Sequence, residues 1–453
     1  MDEKRLSLHG QWSSRLTFIL AASAAAVGLG NIWKFPYLTG QNGGGLFVLI
    51  YLACVILMGL PLMMAEITLG RLGRRNPAGT FKEIAIENKR SKLWSWVGAT
   101  TIIAGALILS YYCVIAGWSV AYFGKAIKGD FQHIDTLHAQ SMFKQLIANP
   151  WQLIAWHSFI VISTIIVIAQ GLEKGIERAV KYLFPCLIIL LVVLIGYGIT
   201  TGHFGEAFKF LFEPDFSEIK GSTILVAMGQ AFFSLSIANG SILMYGAYVP
   251  RNISITSAAI AISLADTGIA LAAGLAIFPI VFANGLSPSS GPGLIFESLP
   301  IAFGHMSLGY VFGGLFFLML ICAAFTSTIS LLEPAVAWLV ELKQVHRMKA
   351  AWVIGGIIWL LGILTVLSFN YWAEIKLFNL NCFELIDYLT ANIMLPAGGF
   401  LTAIFVGWMV CRQTVSHELE IKKSWLFNCW RFSIRYLTPI IILIVFLHAL
   451  KII

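Results

Sequence analysis

Two apolar segments of this chain, residues 16–37 and 222–250, are each long enough to cross a bilayer, and each is interrupted near its middle. The first reads AAAVGLGNIWKFPY at 24–37 and runs on into GQNGGG at 40–45. The second carries SLSIANGS at 234–241. In hydrocarbon an unpaired backbone amide or carbonyl costs several kcal/mol, so a spanning helix breaks only where protein or a water-filled cavity surrounds the break. The freed groups then face that cavity. Carbonyls and half-helix C-termini suit a cation, and N-terminal amides suit a carboxylate. The pattern predicts a polar site at mid-membrane depth, with a kink that serves packing alone as the alternative.

Composition makes lipid the main solvent. Of the 453 residues 58% are hydrophobic and 11% charged, against about 25% charged in a soluble domain. Apolar stretches of about 20 residues number eleven, at roughly 16–37, 46–70, 97–123, 152–170, 183–200, 223–247, 256–283, 307–339, 351–369, 383–410 and 436–452. The expected fold is an all-α polytopic membrane protein with eleven transmembrane helices, one integral-membrane domain over 1–453. The formal net charge of +8 is no sign of nucleic-acid binding, because Lys and Arg gather in alternate loops (70–92, 173–181, 341–349, 412–435) together with Lys4, Arg5 and Arg15. The positive-inside rule makes that side cytoplasmic, which puts the N-terminus inside and, with an odd span count, the C-terminus outside. The first span lacks a cleavage pattern and is read as part of the mature protein. Seven cysteines show neither a disulfide framework nor metal spacing. No nucleophile, metal or paired-acid constellation lies in the spans, so an enzyme is not expected.

Ionisable residues at membrane depth are expensive and usually functional. Asp266 lies in ISLADTGIALAAGLAIF (262–278) and Glu66 in MMAEITLG (63–70). The hydroxyls of FTSTIS (325–330) have a plainer reading, bonding back to their own helical turn.

Six motifs, in this order, carry a resemblance: AVGLGNIWKFPY with NGGG (26–45), GLPLMMAEITLGR (59–71), SYYCVIAGW (110–118), GQAFFSLS (229–236), FTSTISLLEP (325–334) and RYLTP (435–439). Together they resemble the neurotransmitter:sodium symporter family, specifically its bacterial amino-acid transporters of leucine-transporter fold. The resemblance implies a 5+5 inverted-repeat core with helices 1 and 6 broken. The first repeat covers about 11–200, the second about 222–411, and an extra span about 436–452. Family members commonly have twelve spans, and a group of bacterial ones stops at eleven. Paired broken helices in corresponding halves mark a secondary transporter's binding site, a rule drawn in part from this same family.

Matched position by position, the resemblance implies two sodium sites. The first would use the Ala26 carbonyl, Asn31, Ser234 and Asp266, completed by the substrate carboxylate. The second would use the carbonyls of Ala24, Val27 and Ala323 with the hydroxyls of Thr326 and Ser327. Chloride-dependent relatives carry asparagine at the position of Asp266 with a chloride ion nearby. Here the carboxylate supplies that charge, so no bound chloride is expected, and counter-transport of a proton stays open.

Tyr112 and the Gly30 amide match the groups that hold a substrate carboxylate. Gly28 stands where amine-transporting relatives have aspartate, which favours an α-amino acid over a monoamine. Ala26, Leu29, Ile108, Phe233, Ser234, Ser236, Ile237, Ala238, Asn239, Ser327, Ser330 and Leu331 complete the implied site, with no charge in the side-chain pocket. Asn239 either solvates a polar substrate group or caps the half-helix. Lys34 and Asp387 match an outer gate pair; Trp12, Arg15 and Glu341 match the inner gate, where the family's arginine falls at His9 and Arg5 is out of register. Glu66 would support the break in the sixth span. Gly175 and Pro185 match a span-five element that can unwind, or a proline that ends a helix for topology. Glu333 acquires no role. The implied function is sodium-coupled symport of a neutral amino acid by alternating access in a bacterial inner membrane. A sodium-coupled osmolyte (betaine-type) transporter and a non-transporting sensor on the same fold are the alternatives. Oligomeric state is not legible.

Overall fold

A computed structural model describes residues 7–218, 220–288, 293–306, 308–421 and 423–449. Lys4, Arg5 and residues 450–452 of the last apolar stretch lie outside them. Among the described residues the secondary structure is helical, with isolated β-bridges at Gly44–Pro214 and Leu377–Leu380. Nine helices are long and apolar enough to cross a membrane, and ten if the bent pair near the start counts as one span. The apolar helices in chain order are α1 (Arg15–Ala26), α2 (Gly30–Gln41), α3 (Gly45–Gly73), α4 (Lys92–Lys128), α5 (Pro150–Ala169), α6 (Leu172–Thr200), α7 (Gly221–Ser234), α8 (Ser241–Ala247), α9 (Ile255–Ala283), α10 (Leu294–His305), α11 (Gly309–Lys343), α12 (Arg347–Ser368), α13 (Cys382–Met409) and α14 (Ser424–His448). The short helix α10 was not legible as a separate element, since it is too brief to stand out as a span.

Both interruptions occur where the sequence puts them. Helices α1 and α2 meet at 53°. The Ser14 side chain caps α1 by accepting from the Thr17 amide, and Val27 ends it with an extended ψ of 108°. Between α7 and α8 the chain turns through left-handed conformations at Ser236, Ala238 and Gly240, with φ of 50°, 64° and 83°. Two of these are not glycine, a conformation that side chains disfavour, so other contacts must hold the turn.

Lipid gives helices no hydrophobic reason to associate, so close packing of small residues matters more than in water. Helices α3 and α8 pack in this way. A Cβ on Gly70 would lie 2.0 Å from the Leu243 carbonyl oxygen, and one on Gly246 would lie 2.8 Å from the Ile67 Cα. Gly70→Val is expected to force these backbones apart and to cost about 1–3 kcal/mol, the usual range for overpacking. The measurement is the midpoint of thermal unfolding in detergent; an unchanged midpoint would contradict this packing.

Candidate functional site

The break in the first span is held by side chains from other helices. The Gly28 amide, which in a continuous helix would bond to the carbonyl of Ala24, donates to Asn31 Oδ1 at 3.2 Å. The Leu29 amide donates to the Tyr112 hydroxyl at 2.9 Å. The Ala25 carbonyl accepts from Ser236 Oγ at 3.0 Å, and the Gly30 carbonyl from Gln230 Nε2 at 2.8 Å. In the second break the Ala238 amide donates to Glu66 Oε1 at 2.7 Å, so Glu66 does support that turn. The Ala24 carbonyl thus loses its helical donor without gaining a side-chain one.

Asn31, Ser234 and Asp266 come together. Asn31 Nδ2 lies 2.7 Å from Asp266 Oδ1, 3.0 Å from the Asp266 carbonyl oxygen and 3.1 Å from Ser234 Oγ. Ser234 Oγ donates to Asp266 Oδ2 at 2.7 Å. Tyr51, which the sequence did not single out, places its hydroxyl 3.1 Å from Ser234 Oγ and 3.4 Å from Asp266 Oδ2. Asp266 is fully buried, and no lysine, arginine or histidine pairs with it among the described residues. A buried carboxylate normally has a cationic partner or a metal. The hydroxyls of Ser234 and Tyr51 beside an uncompensated carboxylate fit a hard cation such as sodium, and Asn31 would add its oxygen once its carboxamide turns.

A second oxygen cluster joins α1 to α11. Ser327 Oγ lies 3.2 Å from the Ala323 carbonyl oxygen and 3.4 Å from that of Val27. Thr326 Oγ1 donates to the carbonyls of Ala323 at 3.0 Å and Cys322 at 3.2 Å. Both hydroxyls therefore bond back to their own turn, as the plainer reading held, and Ser327 also reaches the broken helix. Ala24 is buried one turn earlier in α1.

Between the two clusters lies a chamber of about 30 Å³, lined by Ala26, Gly28, Gly30, Ile108, Tyr112, Phe233, Ser236, Ile237, Asn239, Ser327, Leu331 and Leu395. No charged side chain lines it. Leu395 was not foreseen. Leu29, Ser234, Ala238 and Ser330 do not line it; Ser330 bonds instead to the Ser327 carbonyl at 2.9 Å. A Cβ on Gly28 would lie 2.5 Å from both Ser327 Oγ and Tyr112 Oη, so any larger residue there would displace these two hydroxyls. The chamber has room for about two water molecules. An amino acid enters only if wall side chains such as Phe233 move aside.

The two ends of the chamber differ. On the outer side the expected ion pair is not formed: the Lys34 ammonium sits 4.5 Å from the centroid of the Phe233 ring, and no ion pair joins it to Asp387 among the described residues. Lysine is a point charge on a flexible stem, without arginine's bidentate fork, and an aromatic face satisfies it. A cavity of about 260 Å³ borders Lys34 and Phe233.

The end of the chamber nearer the N-terminal segment is tightly closed. The Trp12 amide and Nε1 each donate at 3.0 Å, to the carbonyls of Tyr248 and Tyr245. Glu341 accepts from the Asn76 amide at 2.7 Å and from Asn76 Nδ2 at 2.8 Å. His9 Nε2 lies 3.2 Å from Glu341 Oε1, with both side chains at most 5% exposed. The position that carries arginine in the family therefore holds a histidine that still reaches its partner. Arg15 takes no part; it donates to Ser257 Oγ at 3.0 Å on the surface. Glu333 gains a role: wholly buried, it accepts from the Tyr248 hydroxyl at 2.5 Å and pairs with Arg347, bracing the same corner. Glu177 holds the Ser13 amide at 2.8 Å and Ser13 Oγ at 2.7 Å. Pro185 lies inside α6 and does not end it, while Gly175 sits in the wide first turn of that helix, where a Cβ would lie 2.0 Å from the Val167 carbonyl oxygen.

A charge-free chamber at two helix breaks, flanked by oxygen clusters and closed on one face, defines a membrane transporter of small solutes coupled to a cation. The model of the sodium:neurotransmitter symporter family matches residues 9–136 and 128–453. A sodium-dependent transporter of Bacillus subtilis, YhdH, is 34% identical over 447 residues, covering 98% of each chain. One from Methanocaldococcus jannaschii is 28% identical over 461 residues, covering 97% of this chain and 90% of the relative. The crystal structure of MhsT in complex with L-phenylalanine superposes with a TM-score of 0.89 at 42% identity, over 97% of this chain and 99% of that one. The chain belongs to the sodium:neurotransmitter symporter family, and is a sodium-dependent multi-pass membrane symporter rather than an enzyme.

Glu341→Gln is expected to weaken the inner closure and so reduce the fraction of molecules open to external substrate. Apparent affinity falls with that fraction. Loss of charge-assisted bonds worth about 1–3 kcal/mol should raise the half-saturating sodium concentration for uptake several-fold. An unaltered sodium dependence would remove Glu341 from the gate.

Proposed function

We propose that this symporter carries a neutral α-amino acid into the cytoplasm together with sodium at two sites, by alternating access and without need of chloride. The observation that carries the reading is Asp266, buried without a cationic partner beside Asn31 and Ser234. The first sodium would bind there, with the Ala26 carbonyl and the substrate carboxylate. The second would bind among Ala24, Val27, Ala323, Thr326 and Ser327. Tyr112 and the Gly30 amide would hold the carboxylate, in a chamber without charge; the phenylalanine bound to MhsT supports a neutral side chain. Eleven spans arranged as two inverted repeats of five, about 11–200 and 222–411, plus one further span belong to the same proposal. So do a bacterial inner membrane, a cytoplasmic N-terminus and an external C-terminus.

Charge bookkeeping motivates the chloride claim. Two sodium ions and a zwitterion bring net +2 into the chamber, and unit charges about 4 Å apart interact by roughly 4 kcal/mol at an effective dielectric of 20. A fixed carboxylate offsets one of those charges. Uptake into proteoliposomes is therefore expected to be unaffected when gluconate replaces chloride, and Asp266→Asn should lose most uptake there and regain part of it when chloride is supplied. A wild type that needs chloride, or a mutant equally active without it, would sink the assignment. Outward proton movement during the return step is read in the same vesicles from their internal pH.

The second site has its own test. Thr326→Ala with Ser327→Ala should weaken sodium-dependent binding while the protein remains inserted; an unchanged sodium dependence would dispose of that site.

A further inference from the structure

Asn239 stands in the turn between α7 and α8 and lines the chamber. Its Oδ1 accepts from the Ser241 amide at 3.0 Å. A backbone N–H only donates, so the atom facing it must be oxygen, and the orientation of the carboxamide is thereby fixed. Nδ2 is left with two hydrogens, and no acceptor among the described residues takes either. Asn239 both caps the half-helix and keeps a donor for the chamber.

Of the other polar side chains of the chamber, the two serines already spend their hydroxyl hydrogens, while Tyr112 accepts from a backbone amide and keeps its own hydrogen for the carboxylate end. Ser236 donates to the Ala25 carbonyl, Ser327 to the carbonyls of Ala323 and Val27, and Tyr112 accepts from the Leu29 amide. The rest of the chamber lining includes the hydrocarbon side chains of Ile108, Ile237 and Leu331. A Cβ on Gly105 would lie 2.6 Å from the Asn239 carbonyl oxygen and 3.8 Å from Leu331 Cδ2, so Asn239 adjoins the α4 turn that precedes Ile108. Tyr112 is seven residues, about two turns, beyond Gly105 along α4, a rise of about 10 Å. Asn239 therefore sits toward the far end of the chamber from the carboxylate end, where a substrate's side chain would reach.

We propose that Asn239 is a specificity-determining donor, selecting amino acids whose neutral side chain carries an oxygen acceptor, a hydroxyl or a carboxamide, over hydrocarbon analogues of the same shape. The proposal rests on the amino-acid reading above. A donor buried against hydrocarbon by an analogue without an acceptor loses its hydrogen bond, which disfavours that analogue by about tenfold.

Matched pairs test it. Binding of threonine against valine, and of tyrosine against phenylalanine, is measured by calorimetry on the purified full chain in sodium and again in choline. The wild type is expected to bind the oxygenated member of at least one pair about tenfold more tightly. Asn239→Leu should erase that preference. So should Asn239→Ser, whose hydroxyl can still cap the Ser241 amide but no longer reaches into the chamber. Equal or reversed affinities within both pairs, or a preference unchanged in Asn239→Ser, overturns the donor role and leaves amino-acid binding standing. If none of the four binds in sodium, the amino-acid reading falls and the donor role with it.

Discussion

A helix cannot break inside a bilayer unless something else satisfies its backbone, and the centre of this molecule is organised around that requirement. The Gly28 amide goes to Asn31, the Leu29 amide to Tyr112, the Ala25 carbonyl to Ser236, the Gly30 carbonyl to Gln230 and the Ala238 amide to Glu66. The partners come from α2, α3, α4, α7 and the second break itself. Each break is thus fixed by side chains that belong to different helices, and a relative shift of any of them alters which backbone groups are free. The two non-glycine left-handed residues, Ser236 and Ala238, are two of those anchored positions. Their strain is held by the Ser236–Ala25 and Ala238–Glu66 bonds.

The inner closure follows the same economy. Trp12 is held by backbone carbonyls of the segment around α8, while Glu341 on α11 gathers His9 and Asn76. Glu333, two turns before Glu341 on the same helix, bonds Tyr248. Tyr248 also gives its carbonyl to Trp12. The N-terminal segment, α8 and α11 therefore meet through two acidic residues and one aromatic cluster. The outer face has no equivalent among the described residues, since Lys34 rests on Phe233 rather than on Asp387. The asymmetry gives the conformation its sense: shut toward the N-terminal side, with the opposite side held by a cation–π contact that an exposed pair would make worth about 0.5–1 kcal/mol.

Much of this was legible in the sequence. The positions of both breaks, and the cost of placing Asp266 and Glu66 at membrane depth, follow from polar residues where lipid forbids them to be idle, whereas the meeting of Asn31, Ser234 and Asp266, the reach of Ser327 to Val27 and the place of Glu66 at the second break were implied by the family resemblance. The failures have a common physical cause. Periodicity and motif say that a residue lies in a span, but not which neighbour its side chain finds. Tyr51 lies in an apolar run and Gln230 within GQAFFSLS, and neither setting reveals that the phenol reaches Ser234 and Asp266 or that the carboxamide reaches the Gly30 carbonyl. The resemblance pairs Lys34 with Asp387, whereas the ammonium lies over the Phe233 ring, a neighbour that no motif specifies. Glu333 had no role until Tyr248 and Arg347 were seen beside it, because both partners are remote from it along the chain or across a loop.

Asn31 shows how the two halves of the site depend on each other. One carboxamide serves both: its oxygen holds the Gly28 amide and its nitrogen holds Asp266. A cation at Asp266 would repel that nitrogen and favour the oxygen in its place. Turning the carboxamide would put two N–H donors face to face at Gly28, and the Gly28 amide would then need another acceptor. Gly28 lines the chamber where a substrate carboxylate would lie. In the proposed reading, sodium therefore frees a donor for the carboxylate, and the carboxylate relieves the conflict that sodium creates. Any such coupling is reciprocal, so each ligand must tighten the other by the same factor.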